Sequence, residues 1–376
     1  MHTQTARRTA MRRFSSVVLL AAAIIATVAY TTPPARGQAA DVKTAEQVYK
    51  NIIALKGTPA DQLGASMQFI AASLGVDCEF CHVQGKPEAD DKGPKKTARE
   101  MITMTLGINK DSFRGQLRVT CFSCHRGSAS PVSMPPVQES DTMPARPAAP
   151  TAPPAGAATV TPDQIADKYL TAVGGADAVK KITSRVMKGS ILAGGTESPI
   201  ELYTKAPNKR VSVSHMGGRE SMTAFDGTVG WTGGTGGAAR QMSEAEAGSA
   251  GLDAEFSLAL RLKEIFPQLR RGRPEQVNGV DCDVLQGTRP GGIAVRLDFD
   301  KQSGLLLRMV RTTTTPMGRM PVQIDYADYK EFDGVKVPLR WTLARPNGRF
   351  TIQIKDVQDN VPVDDAKFTK PADPAK

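Results

Sequence analysis

Two short stretches constrain this chain more than anything else in it: Cys78-Glu79-Phe80-Cys81-His82 and Cys121-Phe122-Ser123-Cys124-His125. Thiols three positions apart share one helical turn, where they can add across the two vinyl groups of a haem, and the adjacent histidine then reaches the iron. A zinc ribbon built from four thiolates is the competing chemistry, but such ribbons space their pairs by about 15 to 20 residues. Here 39 residues separate Cys81 from Cys121, and zinc has no use for a histidine directly after both pairs. Two c-type haems are therefore expected, with Cys78, Cys81, Cys121 and Cys124 as thioether donors and His82 and His125 as proximal iron ligands.

Covalent haem attachment takes place outside the bacterial cytoplasm, so such a chain needs an export signal. Arg7, Arg8, Arg12 and Arg13 precede an apolar run from Phe14 to Tyr30, and small residues around Gly37-Gln38-Ala39 offer a cleavage site. Residues 1–39 read as a signal peptide and the mature protein as periplasmic. The apolar run has 17 residues, the short edge of what spans a bilayer, so an uncleaved membrane anchor is the alternative. Those 39 residues hold five arginines and no acids, which reduces the formal +10 to +5 in the mature chain. Four haem propionates would bring the holoprotein to about +1. With basic and acidic residues interspersed, nucleic acid is excluded as a partner.

Composition divides the rest. Eight prolines fall between Pro131 and Ala158 among small and polar residues, so 131–159 reads as a linker, reaching up to roughly 85 Å if extended as polyproline II. It separates residues 41–130 from residues 160–372. The expected architecture is multidomain: a small all-α dihaem cytochrome domain, then an antiparallel β half-barrel domain of α+β class.

Helix signals precede each haem motif. Thr44 and Gln47 form a capping box ahead of Val48, Ile52 and Leu55, with Gly57 closing the segment. A second helix starts at Thr58-Pro59, carries Leu63, Met67, Ile70 and Leu74 on one face and stops at Gly75. A third runs from Thr97 to Ile108 and carries Met101 and Met104. From periodicity alone these methionines are equally core residues or distal iron ligands. Rival ligands are few, since the remaining histidines are His2, within the signal, and His215, in the second domain.

The run Met67–His82, and Ala98-Arg99-Glu100-Met101-Ile102-Thr103-Met104 followed by Ile108-Asn109 and Val119 to Gly127, resemble the multihaem cytochrome subunit of purple-bacterial photosynthetic reaction centres. The resemblance covers about 85 residues. It implies that each haem is bound by a helix, a turn and the CxxCH, with a helix methionine as sixth ligand: Met67 for the first haem, Met101 for the second, and Met104 as the alternative to Met101. This chain has two haem motifs where that subunit has four, and so resembles half of it. His/Met ligation fills the coordination position an enzyme would need open, which implies electron transfer rather than catalysis.

In the second domain, Thr161-Pro162-Asp163 starts a short helix. Strands are expected over 185–192, 200–205, 210–215, 221–226, 294–300, 305–314, 322–329, 335–343 and 349–357, with a helical interruption from Ser243 to Phe266. Lys205 to Arg210, Phe225 to Trp231 and Phe299 to Leu305 resemble the LolA/LolB lipoprotein carriers, which implies a half-open barrel with an apolar concave face. Cys282 reads as a small buried residue, His215 as a solvated side chain, Asp226 as a turn residue and Gly230–Gly237 as a hairpin.

These readings converge on a periplasmic dihaem electron carrier. Its partners would be a periplasmic redox donor and acceptor, membrane-bound or not, and its β domain would dock a partner or envelope lipid. Two alternatives belong to other classes. One is a dihaem peroxidase or oxidase with an open distal position. The other is a carrier for an apolar or lipid ligand with haems as redox sensors.

Overall fold

The computed structural model describes residues 43–132, 160–216, 218–234, 237–290, 292–346 and 348–370. The expected signal segment and residues 133–159 of the expected linker lie outside them.

Helix α1 (Ala45–Val48) opens on the expected Thr44/Gln47 capping box, with the Thr44 N–H donating to Gln47 Oε1 at 2.9 Å. It ends after one turn instead of continuing to Gly57, because tertiary bonds claim the chain beyond it. Asn51 takes the left-handed conformation (φ 59°), and its amide donates to Glu88 O at 2.5 Å and Asp90 Oδ1 at 3.0 Å. Ile52 and Ile53, whose β-branches lose rotamer freedom in a helix, do little to oppose that. Helix α2 (Ala60–Leu74) follows Pro59 and stops at left-handed Gly75, as expected. The first motif forms α3 (Cys78–Cys81). Helix α4 (Gly93–Phe113) exceeds the expected span at both ends: Pro94 fits the first turn and Arg114 closes the last in a left-handed cap. The second motif forms α5 (Cys121–His125).

After α6 (Pro162–Ala172) and α7 (Gly175–Lys181) come β1 (Ser184–Ala193), β2 (Thr196–Lys205), β3 (Lys209–Met216), β4 (Arg219–Phe225), β5 (Gly230–Gly234) and β6 (Gly237–Gln241). Helices α8 (Glu244–Asp253) and α9 (Leu258–Ile265) fill the expected interruption, α8 starting at a Ser243/Glu246 capping box. Then follow β7 (Arg270–Arg271), β8 (Glu275–Val277), β9 (Val280–Thr288), β10 (Ala294–Asp300), β11 (Leu306–Thr315), β12 (Gly318–Phe332), β13 (Val335–Arg345) and β14 (Gly348–Asp359). All pair antiparallel in one open sheet of order β6-β5-β4-β3-β2-β1-β14-β13-β12-β11-β10-β9-β7, with β8 on β9. First strand and last, β1 and β14, are neighbours and join the two halves.

The sheet is strongly curled. Arg210 on β3 donates to the Asp253 carbonyl oxygen at 2.9 Å, and Arg311 on β11 holds the Asp253 carboxylate at 2.6 and 2.9 Å. In a flat sheet, six strand spacings would put β3 and β11 roughly 29 Å apart. Reaching one residue of α8 from both therefore requires the sheet to wrap around that helix. Inside the curve lie Leu202, Leu262, Phe266, Leu285, Leu297 and Phe299, all essentially without solvent contact.

Helices and sheet share one compact unit. The β11–β12 hairpin reaches into the helices: Met317 and Met320 are buried with Leu55, Phe69, Ile70, Ile102 and Cys121. Thr315 shapes its tip, its hydroxyl accepting from the N–H groups of Met317 (3.2 Å) and Gly318 (3.1 Å) and donating to Gly318 O (2.8 Å). Gly318 is required by proximity, since a Cβ there would stand 2.1 Å from the Phe69 ring.

Candidate haem sites

Each motif is a single helical turn held by its flanks. The Asp77 carboxylate accepts from the Phe80 N–H at 3.0 Å and starts α3, an N-cap of the usual acidic kind. Thr120 and Ser123 form a capping box that starts α5. Both turns bring their cysteines onto one short helix with the histidine at its end.

The histidines are oriented alike. His82 Nδ1 lies 2.9 Å from Pro87 O, and His125 Nδ1 lies 2.9 Å from Ser128 O. A carbonyl oxygen only accepts, so Nδ1 carries the proton in both rings and Nε2 presents its lone pair outward. An imidazole binding iron through Nε2 needs this arrangement, and a backbone acceptor behind it is the usual second-shell support. Burial pushes the Cys81 and Cys121 thiols up, keeping them protonated before attachment. Cys78 and Cys124 are exposed. Among the described residues no three His, Cys, Asp or Glu gather as a metal cluster. The four thiolates thus do not converge as a zinc ribbon requires, whereas covalent haem fits the residues of both motifs.

Long helix α4 braces both sites with residues that sequence reasoning passed over. Near its start, buried Lys95 donates to Pro87 O (2.9 Å) and Ala89 O (2.8 Å) and pairs with Asp90 (3.1 Å), fixing the carbonyl that orients His82. Near its end, buried Asn109 donates to Val119 O (2.6 Å) and accepts from the N–H groups of Arg118 and Val119 (both 2.9 Å), fixing the segment that leads into α5. Neither role left a local signal: Asn109 directly follows the expected helix end at Ile108 and was noted only within the family resemblance, and Lys95 is one of a basic pair. Asp90 also takes Arg99 at 2.9 Å, and together Arg99, Asn51 and Lys95 hold its carboxyl well below the usual range.

The two motifs are tied directly. Gly127, just after α5, donates its N–H to Ser73 O at 2.8 Å, and a Cβ on Gly75 would stand 2.1 Å from Gly127 O. Gly75 is thus doubly constrained, by this approach and by its φ of 66°. Helix α2 packs chiefly on α5, and α3 on α4. Met67 is half-buried beside the cluster that contains Cys121; Met101 is half-buried, and Met104 is 47% exposed. His215 is exposed on β3, 4.0 Å from Glu220. Cys282 is fully buried, its thiol donating to Val280 O at 3.4 Å. Asp226 accepts from Thr228 and Val229 N–H, both at 2.7 Å, as a turn residue should.

Two one-turn helices, each with paired cysteines and a histidine whose Nε2 has no hydrogen bond among the described residues, are the pattern of a c-type cytochrome. A sequence model described as "Photosynthetic reaction centre cytochrome C subunit" matches residues 2–199, more than half of the chain. The chain belongs to that family, which carries covalently bound haem. Relatives include the photosynthetic reaction center cytochrome c subunits of Thermochromatium tepidum (31% identical over 91 residues, 23% of this chain and 22% of that one) and Roseobacter denitrificans (32% over 99 residues, 23% and 26%). The matched part thus spans about a quarter of those relatives' length. Solved structures similar to this one include a DUF1329 family protein from Desulfovibrio piger (16% identity, 56% of this chain and 98% of that one, TM-score 0.41). A LolA superfamily protein from Nitrosomonas europaea is another (14%, 56% and 99%, TM-score 0.39).

Proposed function

We propose that this protein is an exported dihaem electron carrier, with residues 1–39 as its signal, residues 131–159 as a linker and the periplasm as its compartment. The observation that carries the reading is the matched pair of Nδ1-to-carbonyl hydrogen bonds at His82 and His125. One haem would be attached at Cys78 and Cys81 with His82 as proximal ligand, the other at Cys121 and Cys124 with His125. When bound, each haem supplies a one-electron couple.

The distal ligands are Met67 for the first haem and Met101 for the second, with exposed Met104 the alternative. A His/Met haem separates its two ligand-bearing segments by the macrocycle itself. That α2 packs on α5 rather than on α3 is consistent with Met67 serving the first motif across the width of a haem. Thioether ligation favours ferrous iron and leaves no open position, so the protein exchanges electrons with a periplasmic donor and acceptor, membrane-bound or soluble.

Redox-titrated visible spectroscopy on M67A, M101A and M104A tests the assignment. M67A and M101A should each lower one haem's potential by more than about 60 mV, a tenfold change in a one-electron equilibrium, and open that haem to carbon monoxide. M104A should do neither. Rapid carbon monoxide binding by the reduced wild type would favour a peroxidase or oxidase instead, and a pyridine haemochrome count of one haem per chain would sink the dihaem reading.

A further inference from the structure

The turn that joins two strands ordinarily runs over a protein's surface, and the tip of the β11–β12 hairpin does not. Thr315, Met317, Gly318 and Met320 are all buried, and Met317 has no solvent contact. Both methionines belong to the cluster of Leu55, Phe69, Ile70, Ile102 and Cys121 at the centre of the helical region, with Met67 packed against it. The tip is also internally tied, since the Thr315 hydroxyl takes the N–H groups of Met317 and Gly318 and gives its proton to Gly318 O. A sheet hairpin of fixed shape is thus seated among the helices.

Its place on α2 is specific. Successive helical residues are turned by about 100°, so Phe69 and Ala65 each lie roughly 160° from Met67 around the helix, while Leu63 and Leu74 share the Met67 side to within about 40°. The Phe69 ring is what a Cβ on Gly318 would strike, at 2.1 Å, and Ala65 lines the hollow of the sheet. The sheet therefore stands behind α2, opposite Met67, with α5 packed alongside. A methionine has three rotatable bonds and fixes its own sulfur poorly. If a thioether is to stay on an iron, the helix that carries it has to be held from behind, and the hairpin tip is in the position to do so.

We propose that the β11–β12 tip is a positioning element for the first haem's distal ligand. Met317 and Gly318, acting through Phe69, hold α2 against retreat and keep the Met67 sulfur on the iron, so that the sheet sets that haem's potential. The proposal rests on the assignment of Met67 as distal ligand. It gives the sheet a task inside the electron carrier itself.

Redox-titrated visible spectroscopy and carbon monoxide binding on holoprotein variants test it, with M67A identifying the couple of the first haem. G318A, which sets a methyl against the Phe69 ring, should lower that couple by at least about threefold in its one-electron equilibrium, about 28 mV at 59 mV per decade, and leave the other couple in place. The direction follows because loosening a thioether removes its preference for ferrous iron. Carbon monoxide should reach the same haem faster than in the wild type. T315V keeps the side chain's shape and removes the hydroxyl that ties the tip; it should move the same couple the same way by less, and it decides the matter if G318A does not fold. L297A, a change in the sheet core, should lower stability and move neither couple, and G318A should add nothing in an M67A background. Lowered melting of G318A and T315V with both couples unmoved would reduce the tip to packing and overturn the proposal, as would an equal shift of both couples. M67A active with G318A and T315V silent would leave the ligand assignment standing and remove only the positioning role, whereas M67A silent at both haems would remove both.

Discussion

The helical and sheet regions of this protein reach stability by different routes. The sheet closes its own core: Phe266, Leu285, Leu297 and Phe299 are buried among strands and helices that all come from residues beyond 160. The helical region does not. Its buried cluster is Leu55, Phe69, Ile70, Ile102 and Cys121, completed by Met317 and Met320 lent from the β11–β12 hairpin. A segment with so small a buried cluster is marginal on its own, and packing from a neighbouring region adds to its stability. One region is held by its own hydrophobic burial, the other completes its core with packing borrowed from the sheet.

The largest expected effect breaks that comparison outright. Replacing Cys78, Cys81, Cys121 and Cys124 by alanine should leave the sheet folded and the helical region largely unfolded, read by loss of helical circular dichroism and by proteolysis confined to residues before 133. A haem-free protein with native helical content and protection would show that the helices need no cofactor. Next comes M317A against L297A. Each should cost about 2–5 kcal/mol as a buried large-to-small change. M317A should lower the midpoint followed by the haem band, though the residue belongs to the sheet, whereas L297A should lower the sheet transition. If M317A left the haem-band midpoint unmoved, the hairpin would not be part of the helical core.

The smallest effect contrasts two carboxylates of opposite behaviour. Burial raises Asp298, which has no solvent exposure and whose oxygens lie near Arg296 without a hydrogen bond. Its contribution is therefore fully present below the unfolded value of about 3.9 and is lost as pH rises through the folded value. Asp90 is depressed by Arg99, Asn51 and Lys95, so its contribution is present above about 3.9 and is lost as pH falls through the folded value. D298N should thus stabilise the sheet at neutral pH, and D90N should destabilise the helices. Both differences should shrink in thermal melts as the pH drops below about 4. Differences that stayed constant with pH would show that neither carboxylate titrates as described.

Local signals were legible where a residue's own neighbours decide its conformation. The Thr44 capping box, the helix start at Thr161, the Gly75 stop, the Asp226 turn and nine strands were readable because caps, turns and alternation act within a few residues. Strands β5 to β9 were missed or half-seen: β5 and β6 are glycine-rich, β7 and β8 span two and three residues, and Cys282 alone drew notice to β9. The early end of α1 was illegible for a different reason, since Asn51 answers to Glu88 and Asp90 far along the chain.

By itself the sequence determined the chemistry of the haem motifs, because attachment requires two thiols and a histidine within one turn and nothing from elsewhere. Tertiary structure alone decided what orients those groups and what surrounds them. Lys95 reaches Pro87 O behind His82, Met317 enters the core that contains Cys121, and Arg210 and Arg311 converge on Asp253. Each of these depends on distant segments meeting, and a spacing rule carries no information about which segments those are. The paired CxxCH motifs name the residues that would take haem; the fold decides which side chains and carbonyls stand behind them.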